Sequence, residues 1–196
     1  MAQETDRVWF RERLRSELKP YLEITDEQIG ALYVHFALLL RWNQKMNLTS
    51  VRSAEEIVLR HYCECLYFAS IIPEERTTVS LGDFGSGAGF PGVPIAVMRP
   101  GWRVLLIESH QRRSVFLRES TRHLSNVSVF AGRAEDVGRR FDWLVSRAVD
   151  PGEVAEVGAR LADRLGLLIG KDDAARVHCA AIQEIPWGER RVACFT

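Results

Sequence analysis

The feature that most restricts how this chain can fold is the segment Leu81-Gly82-Asp83-Phe84-Gly85-Ser86-Gly87-Ala88-Gly89-Phe90-Pro91-Gly92, which closes an apolar run and opens a helical one. Without a Cβ, glycine lets the backbone turn sharply and approach a ligand closely. The helix that follows leaves N–H groups without intrahelical partners at its start, and these suit a polar or anionic group. A tight loop with no ligand is the plainer reading. Glycines alternating at 85, 87 and 89 between a strand and a helix favour a binding turn over it.

The chain around this turn has two textures. After Thr77, strand-like segments (Val79–Phe84, Val104–Glu108, Val127–Phe130, Trp143–Ser146, Leu165–Ile169) alternate with helical ones (Gly92–Met98, Gln111–Leu124, Glu153–Ala162). That alternation predicts βαβ units and a parallel sheet. The tail segments Val177–Ile185 and Arg190–Phe195 are candidates for a closing antiparallel pair. The first third reads as helical instead, beginning with Asp6–Leu18, which Pro20 ends. Thr25 and Gln28 make a capping box, with Ile24 and Ile29 as the hydrophobic staple around it. Ile29, Leu32, Tyr33, Phe36, Leu39 and Leu40 then follow the helical period. Ser53 and Glu56, flanked by Val51 and Ile57, repeat the device. They open a helix to about Ile72, ended by Pro73 and the Glu74-Glu75-Arg76 turn. The expected architecture is α/β: a Rossmann-like core over 76–196, its mostly parallel sheet covered by helices on both faces, and an N-terminal helical cap over 1–75, in one compact unit.

A length of 196 residues fits that single unit. The longest strongly apolar stretch, Phe36–Leu40, is far too short to span a bilayer. The opening residues are charged throughout and lack the apolar run of a signal peptide, so a soluble cytoplasmic protein without a membrane partner is expected. Zero formal net charge does not of itself call for nucleic acid. Yet all basic residues except Lys19, Lys45 and Lys171 are arginines, whose planar fork suits phosphates and bases; codon preference explains the bias equally well. Cys63, Cys65, Cys179 and Cys194 show no zinc-finger spacing and read as reduced structural thiols, with no metal site.

What the turn holds is open at this level. Gly87, Gly89 and Gly92 satisfy the pattern of nicotinamide and flavin proteins, so an oxidoreductase is a rival. Three features favour S-adenosylmethionine. Asp83, two residues before Gly85, gives the D-x-G-x-G opening seen in many methyltransferases, where a carboxylate orients the loop and accepts from an ammonium. Pro91 and Pro94 stiffen the turn where a pyrophosphate site needs a smooth helix entry, and the remaining chain is too short for a dehydrogenase's substrate domain. Glu108, ending the second strand, can accept from both ribose hydroxyls of an adenosine. Gly132-Arg133-Ala134-Glu135-Asp136 follows the third strand, where a backbone amide and a small side chain suit an adenine edge; alone it reads as a helix start.

Together, Trp42-Asn43-Gln44-Lys45-Met46-Asn47-Leu48-Thr49, Arg60-His61, the whole turn Asp83–Pro94, Arg112-Arg113-Ser114-Val115-Phe116-Leu117 and Ser146-Arg147-Ala148 resemble the bacterial small-subunit ribosomal RNA guanine-N7 methyltransferase family, historically called glucose-inhibited division protein B. The resemblance covers most of residues 25–171. It implies an S-adenosylmethionine-dependent methyltransferase fold, S-adenosylmethionine as donor, and a guanine of 16S ribosomal RNA, free or in the small ribosomal subunit, as acceptor. By position it puts Gly85, Phe90, Ala134, Glu135 and Arg147 at the cofactor and Glu108 at the ribose, with Asp83, Gly87 and Gly89 completing the donor turn. A monomer is expected.

On the acceptor side the candidates are Arg147, Asn47, Arg60 and His61, because the helical cap overhangs the cofactor in that reading. Arg147, just after the fourth strand, can grip the cofactor's carboxylate, an RNA phosphate or the target base; a surface arginine paired with Asp142 or Asp150 is the alternative. His61 reads equally well as a hydrogen-bonded helix residue. Arg112, Arg113, Arg118 and Arg122 partly share a helix face, but interleaved Glu119 makes a solvated face the default. Two stretches depart from the family's pattern. His61 is followed by Tyr62-Cys63-Glu64-Cys65-Leu66 rather than a serine- and leucine-rich stretch often bearing an aspartate, and Gly170-Lys171-Asp172 replaces a lysine–glycine pair. Guanine N7 has a lone pair and no proton to lose, so methyl transfer to it needs alignment rather than a strong base. A small-molecule or protein methyltransferase of the same fold and a catalytically silent RNA-binding module are the other rivals.

Overall fold

The alternating segments pair into a seven-stranded sheet in the order β3-β2-β1-β4-β5-β7-β6, as seen in a computed structural model that describes residues 2–73, 76–187 and 191–195. Its strands are β1 (Ser80–Phe84), β2 (Arg103–Ile107), β3 (Val127–Phe130), β4 (Phe141–Arg147), β5 (Ala162–Gly170), β6 (Ala181–Glu184) and β7 (Arg191–Phe195). The first five run parallel, and β7 lies antiparallel between β5 and β6. After β1 the chain builds outward through β2 and β3, then returns to lay β4 on the other side of β1. Such a reversal opens a crevice at the carboxyl ends of the two central strands. The predicted closing pair forms over Ala181–Glu184 and Arg191–Phe195, and Arg190 lies outside the described residues.

Alternate strand residues serve the two faces. Leu81, Val104, Leu106, Trp143 and Val145 join one buried cluster with α1 (Ala2–Leu18), α2 (Asp26–Asn43), α5 (Gly92–Met98) and α6 (Gln111–Thr121). Leu105, Ile107, Leu144 and Leu167 meet Val154, Val157 and Leu161 of α7 (Pro151–Leu161) on the other. Phe10, Leu14, Leu32, Phe36 and Leu39 are buried in the first cluster, so the helical cap shares the core of the sheet. Each such side chain contributes roughly 1.5–3 kcal/mol by leaving water.

The Thr25 capping box forms in full: Gln28 N donates to Thr25 Oγ1 (3.2 Å) and Thr25 N to Gln28 Oε1 (2.9 Å). At Ser53 only half of it does. Glu56 N donates to Ser53 Oγ, while the Glu56 carboxylate turns to Arg60 at 3.3 Å. The helix it opens is not uniform: α3 (Ala54–Ile57) widens into a π-helical turn over Val58–Cys63 before α4 (Glu64–Ile71) resumes. The helical periodicity gave no sign of this widening, a feature often found where a helix serves a site. Glu74 and Glu75 lie outside the described residues. The helix placed at Glu153 starts at Pro151, because Asp150 caps it by accepting from Gly152 N and Glu153 N. A short α8 (Lys171–Ala174) follows β5. Cys63 and Cys65 are buried free thiols, but Cys179 is disulfide-bonded, against the expectation of reduced cysteines throughout. It lies just before β6, where antiparallel pairing folds the tail back on itself.

Candidate functional site

The glycine-rich turn sits at the crevice between β1 and β4 and is held by backbone hydrogen bonds to the end of β2 and within itself. Gly85 N and Ser86 N both donate to Ile107 O at 3.0 Å, and Gly89 N donates to Ser86 O at 2.7 Å. Gly85, Gly87 and Gly89 have φ of 70°, 57° and 91°, a region that L side chains rarely enter. A Cβ at Gly85 would stand 2.6 Å from Val149 Cγ2, whereas one at Gly87 would meet nothing closer than 3.7 Å.

Two carboxylates brace this turn. Glu108 accepts from Gly87 N through Oε2 (2.9 Å) and from His110 N through Oε1 (2.7 Å), and is almost wholly buried. Read from sequence as a ribose acceptor, it is here first a clamp on the turn, with one further lone pair on each oxygen. Asp83 has no exposed surface; Oδ2 accepts from Gly92 N at 3.1 Å, while Oδ1 has no hydrogen-bond partner among the described residues. Burial pushes its carboxyl up to about 7, with some help from the charge of Glu108 and against the Gly92 N–H and the nearby Ser86 hydroxyl, which donates to the Asp83 backbone carbonyl. Asp83 therefore anchors the start of α5 from beneath the turn.

Above the turn lies an open cleft of about 540 Å³ that brings together Phe84, Gly85, Ile107, Gly132, Ala134 and Glu135. A second opening, of about 940 Å³, lies past the carboxyl ends of β4 and β5 and is lined by Ala148, Val149, Asp150, Leu168, Gly170 and Arg176 among others. Val149 belongs to its wall and also packs over Gly85, so the two openings adjoin. Ala148 carries a φ of 61°, the one positive value among described non-glycine residues. Such strain costs about 1–2 kcal/mol and clusters at functional sites.

Arg147 is neither the open-site arginine nor the surface arginine that the sequence allowed. Its Nη2 donates to Glu64 Oε2 (3.1 Å) and Arg60 O (2.6 Å), and its Nη1 faces Cys65 Sγ at 3.6 Å. Asp142 instead accepts from Ser80 and faces Arg76, and Asp150 pairs with Arg176. The π turn supplies the carbonyl and α4 the carboxylate, so the guanidinium turns into the helical layer.

Phe90 also turns inward. Its ring is buried, tilted over His61 (centroids 4.9 Å apart) and edge-on to Tyr62 and His35. The Trp42–Thr49 motif explains how His61 is held. Asn43 Oδ1 accepts from Leu48 N and Thr49 N, shaping the loop after α2, and Thr49 Oγ1 lies 2.7 Å from His61 Nε2. Asn47 is exposed and accepts from Arg52, and exposed Arg60 pairs with Glu56. The four acceptor-side candidates differ in exposure: Arg147 is buried against the Arg60 carbonyl, His61 is half-buried, and Asn47 and the Arg60 side chain lie on the surface. Arg112 and Arg118 of α6, and Arg122 just after it, are exposed. Sequence reading passed over His35, whose ring contacts the turn; a histidine inside the apolar stripe of α2 was the available signal.

The family described as rRNA small subunit methyltransferase G matches residues 28–171. Ribosomal RNA small subunit methyltransferase G of Alkaliphilus oremlandii is 38% identical over 138 residues, covering 65% of this chain and 56% of that one. Its counterpart in Xylella fastidiosa is 36% identical over 158 residues, covering 78% and 73%. The chain spans about half the length of several of these curated relatives. Among solved structures, MtNAS in complex with MTA and tNA superposes with a TM-score of 0.60 at 17% identity, over 86% of this chain and 73% of that one. A SAM-dependent methyltransferase from Aquifex aeolicus gives 0.58 at 13% identity, over 71% and 91%. These likenesses establish the Rossmann-like α/β fold.

Proposed function

This chain belongs to the rRNA small subunit methyltransferase G family, and from that premise we propose that it transfers a methyl group from S-adenosylmethionine to N7 of a guanine in 16S ribosomal RNA. The observation that carries the reading is the left-handed glycine turn, clamped by Glu108 at the crevice between β1 and β4, beneath a cleft that Gly85, Ala134 and Glu135 share. The residues present fit the donor. Gly85 presents bare backbone to the cleft, Glu108 keeps lone pairs for the ribose, and Ala134 with Glu135 offers a small side chain and backbone to the adenine. When bound, S-adenosylmethionine supplies an electrophilic methyl group.

The rest is alignment. Guanine N7 loses no proton, so the chain's task is to hold the acceptor in line with the methyl and keep water out. The larger opening past β4 and β5 adjoins the donor cleft through Val149 and is the route we assign to the base. Exposed Asn47 and Arg60 are assigned to the RNA, His61 to the wall behind the turn, and Arg147 to holding the helical layer against β4. The protein works as a cytoplasmic monomer on the RNA or the small subunit in this reading. No helix among the described residues is long and apolar enough to cross a membrane.

The test is label transfer from tritiated S-adenosylmethionine to 16S RNA or 30S particles lacking the modification. Label on a guanine, lost in Gly85→Asp, is the expected result. Donor binding by calorimetry without label on RNA would reject the ribosomal acceptor. No donor binding at all would reject the reading at its base.

A further inference from the structure

His35 lies within the apolar stripe of α2, has no exposed surface, and still satisfies both ring nitrogens. Nε2 is 2.9 Å from the carbonyl oxygen of Ala88, and Nδ1 is 2.7 Å from the hydroxyl of Tyr62. A carbonyl only accepts, so Nε2 carries the proton; Nδ1 is then the acceptor and the Tyr62 hydroxyl the donor. Burial keeps the ring neutral by holding its pKa down at about 4.

The carbonyl it takes belongs to the middle of the glycine turn. Ala88 stands between Gly87 and Gly89, both left-handed, and a Cβ on Gly89 would come within 2.9 Å of His35 Nε2. The ring therefore reaches a space that only glycine leaves. Phe90, next along, is edge-on to the same ring at 5.3 Å. One imidazole thus joins α2, the π turn through Tyr62, and the donor turn.

We infer that His35 is a positioning residue for the glycine-rich turn: its Nε2–H fixes the Ala88–Gly89 peptide so that the Gly85–Gly87 backbone faces the donor, and Tyr62 holds the ring in the tautomer that does so. The inference rests on the donor site proposed above. His35 is outside the residues that line the cleft, so it acts on donor binding and not on the methyl-transfer step. Leucine fills similar space but leaves a buried carbonyl without its donor. Glutamine keeps one N–H for Ala88 and one oxygen for Tyr62.

The test compares wild type, His35→Leu, His35→Gln and Tyr62→Phe as full chains. His35→Leu is expected to raise both Kd and KM for S-adenosylmethionine about tenfold, with kcat on RNA within about twofold, and to speed amide exchange at Gly89 and Phe90. His35→Gln is expected to recover donor affinity to within about threefold, and Tyr62→Phe to lose about threefold. Nitrogen-15 NMR of the wild-type ring is expected to show the Nε2–H tautomer. Unchanged donor affinity in folded His35→Leu, glutamine as poor as leucine, or an Nδ1–H ring overturns the inference. If leucine fails to fold, unchanged affinity in Tyr62→Phe overturns it instead. Should wild type bind no donor, the donor-site reading fails separately, and the tautomer and amide exchange still decide whether His35 holds the turn.

Discussion

Arg147 at the end of β4 donates to Glu64 of α4 across 3.1 Å, between side chains only 7% and 2% exposed and 83 residues apart. Removing one partner strands the other's charge in the core, which costs about 3–5 kcal/mol, whereas replacing both with apolar groups is far milder. Glu64→Ala is therefore expected to lose about 3–5 kcal/mol in urea unfolding, and Glu64→Met with Arg147→Met much less. A loss under about 1 kcal/mol in the single variant would show that the pair does not close the helical layer on the sheet.

Gly85 and Gly87 share a left-handed backbone but not a neighbourhood. Alanine at 87 meets only the conformational penalty, about 1–2 kcal/mol, while alanine at 85 must also displace Val149 from 2.6 Å. Calorimetry with S-adenosylmethionine is expected to show Gly85→Ala at least about tenfold weaker than Gly87→Ala. Equal losses would mean that the Val149 contact is irrelevant to the cleft.

Glu108 accepts two backbone N–H groups on two oxygens, and an amide offers only one oxygen. Glu108→Gln must leave Gly87 N or His110 N facing an NH₂ group. The expected cost is about 1–3 kcal/mol of stability together with weaker donor binding, read from unfolding midpoints and calorimetry. A variant that binds donor normally and unfolds like wild type would remove Glu108 from both roles.

These contacts also show how far the sequence was legible. The glycine turn, the five parallel strands and the Thr25 box follow from local rules, and each was readable within a few residues. The π turn was not, because the Arg60 carbonyl it presents is taken by Arg147, 87 residues on. Arg147 and Phe90 were placed near the turn by position, but the direction of each side chain depends on partners in the helical layer. His35 was missed for the same reason: an apolar helical stripe says that a ring is buried, not what it touches.

His35 and Asp83 make a paired prediction about pH. His35 titrates near 4 when folded against 6.5 when free, because burial disfavours its charge. Below 6.5 the unfolded chain takes a proton that the native ring refuses, so stability is lost as pH falls from 6.5 toward 4. Asp83 runs the other way. Its folded value is about 7 against 3.8, so the native state keeps a proton that the unfolded chain releases, and stability is lost as pH rises from 3.8 toward 7. Between about 4 and 6.5 the two slopes, about 1.4 kcal/mol per pH unit each, cancel in the wild type. Each substitution exposes the other group. Relative to wild type, His35→Gln is expected to lose stability with rising pH across that window, and Asp83→Asn to gain it. Urea midpoints at half-unit steps from pH 4.5 to 7.5 measure both. Parallel curves for all three proteins would mean that neither buried group has the displaced pKa assigned to it.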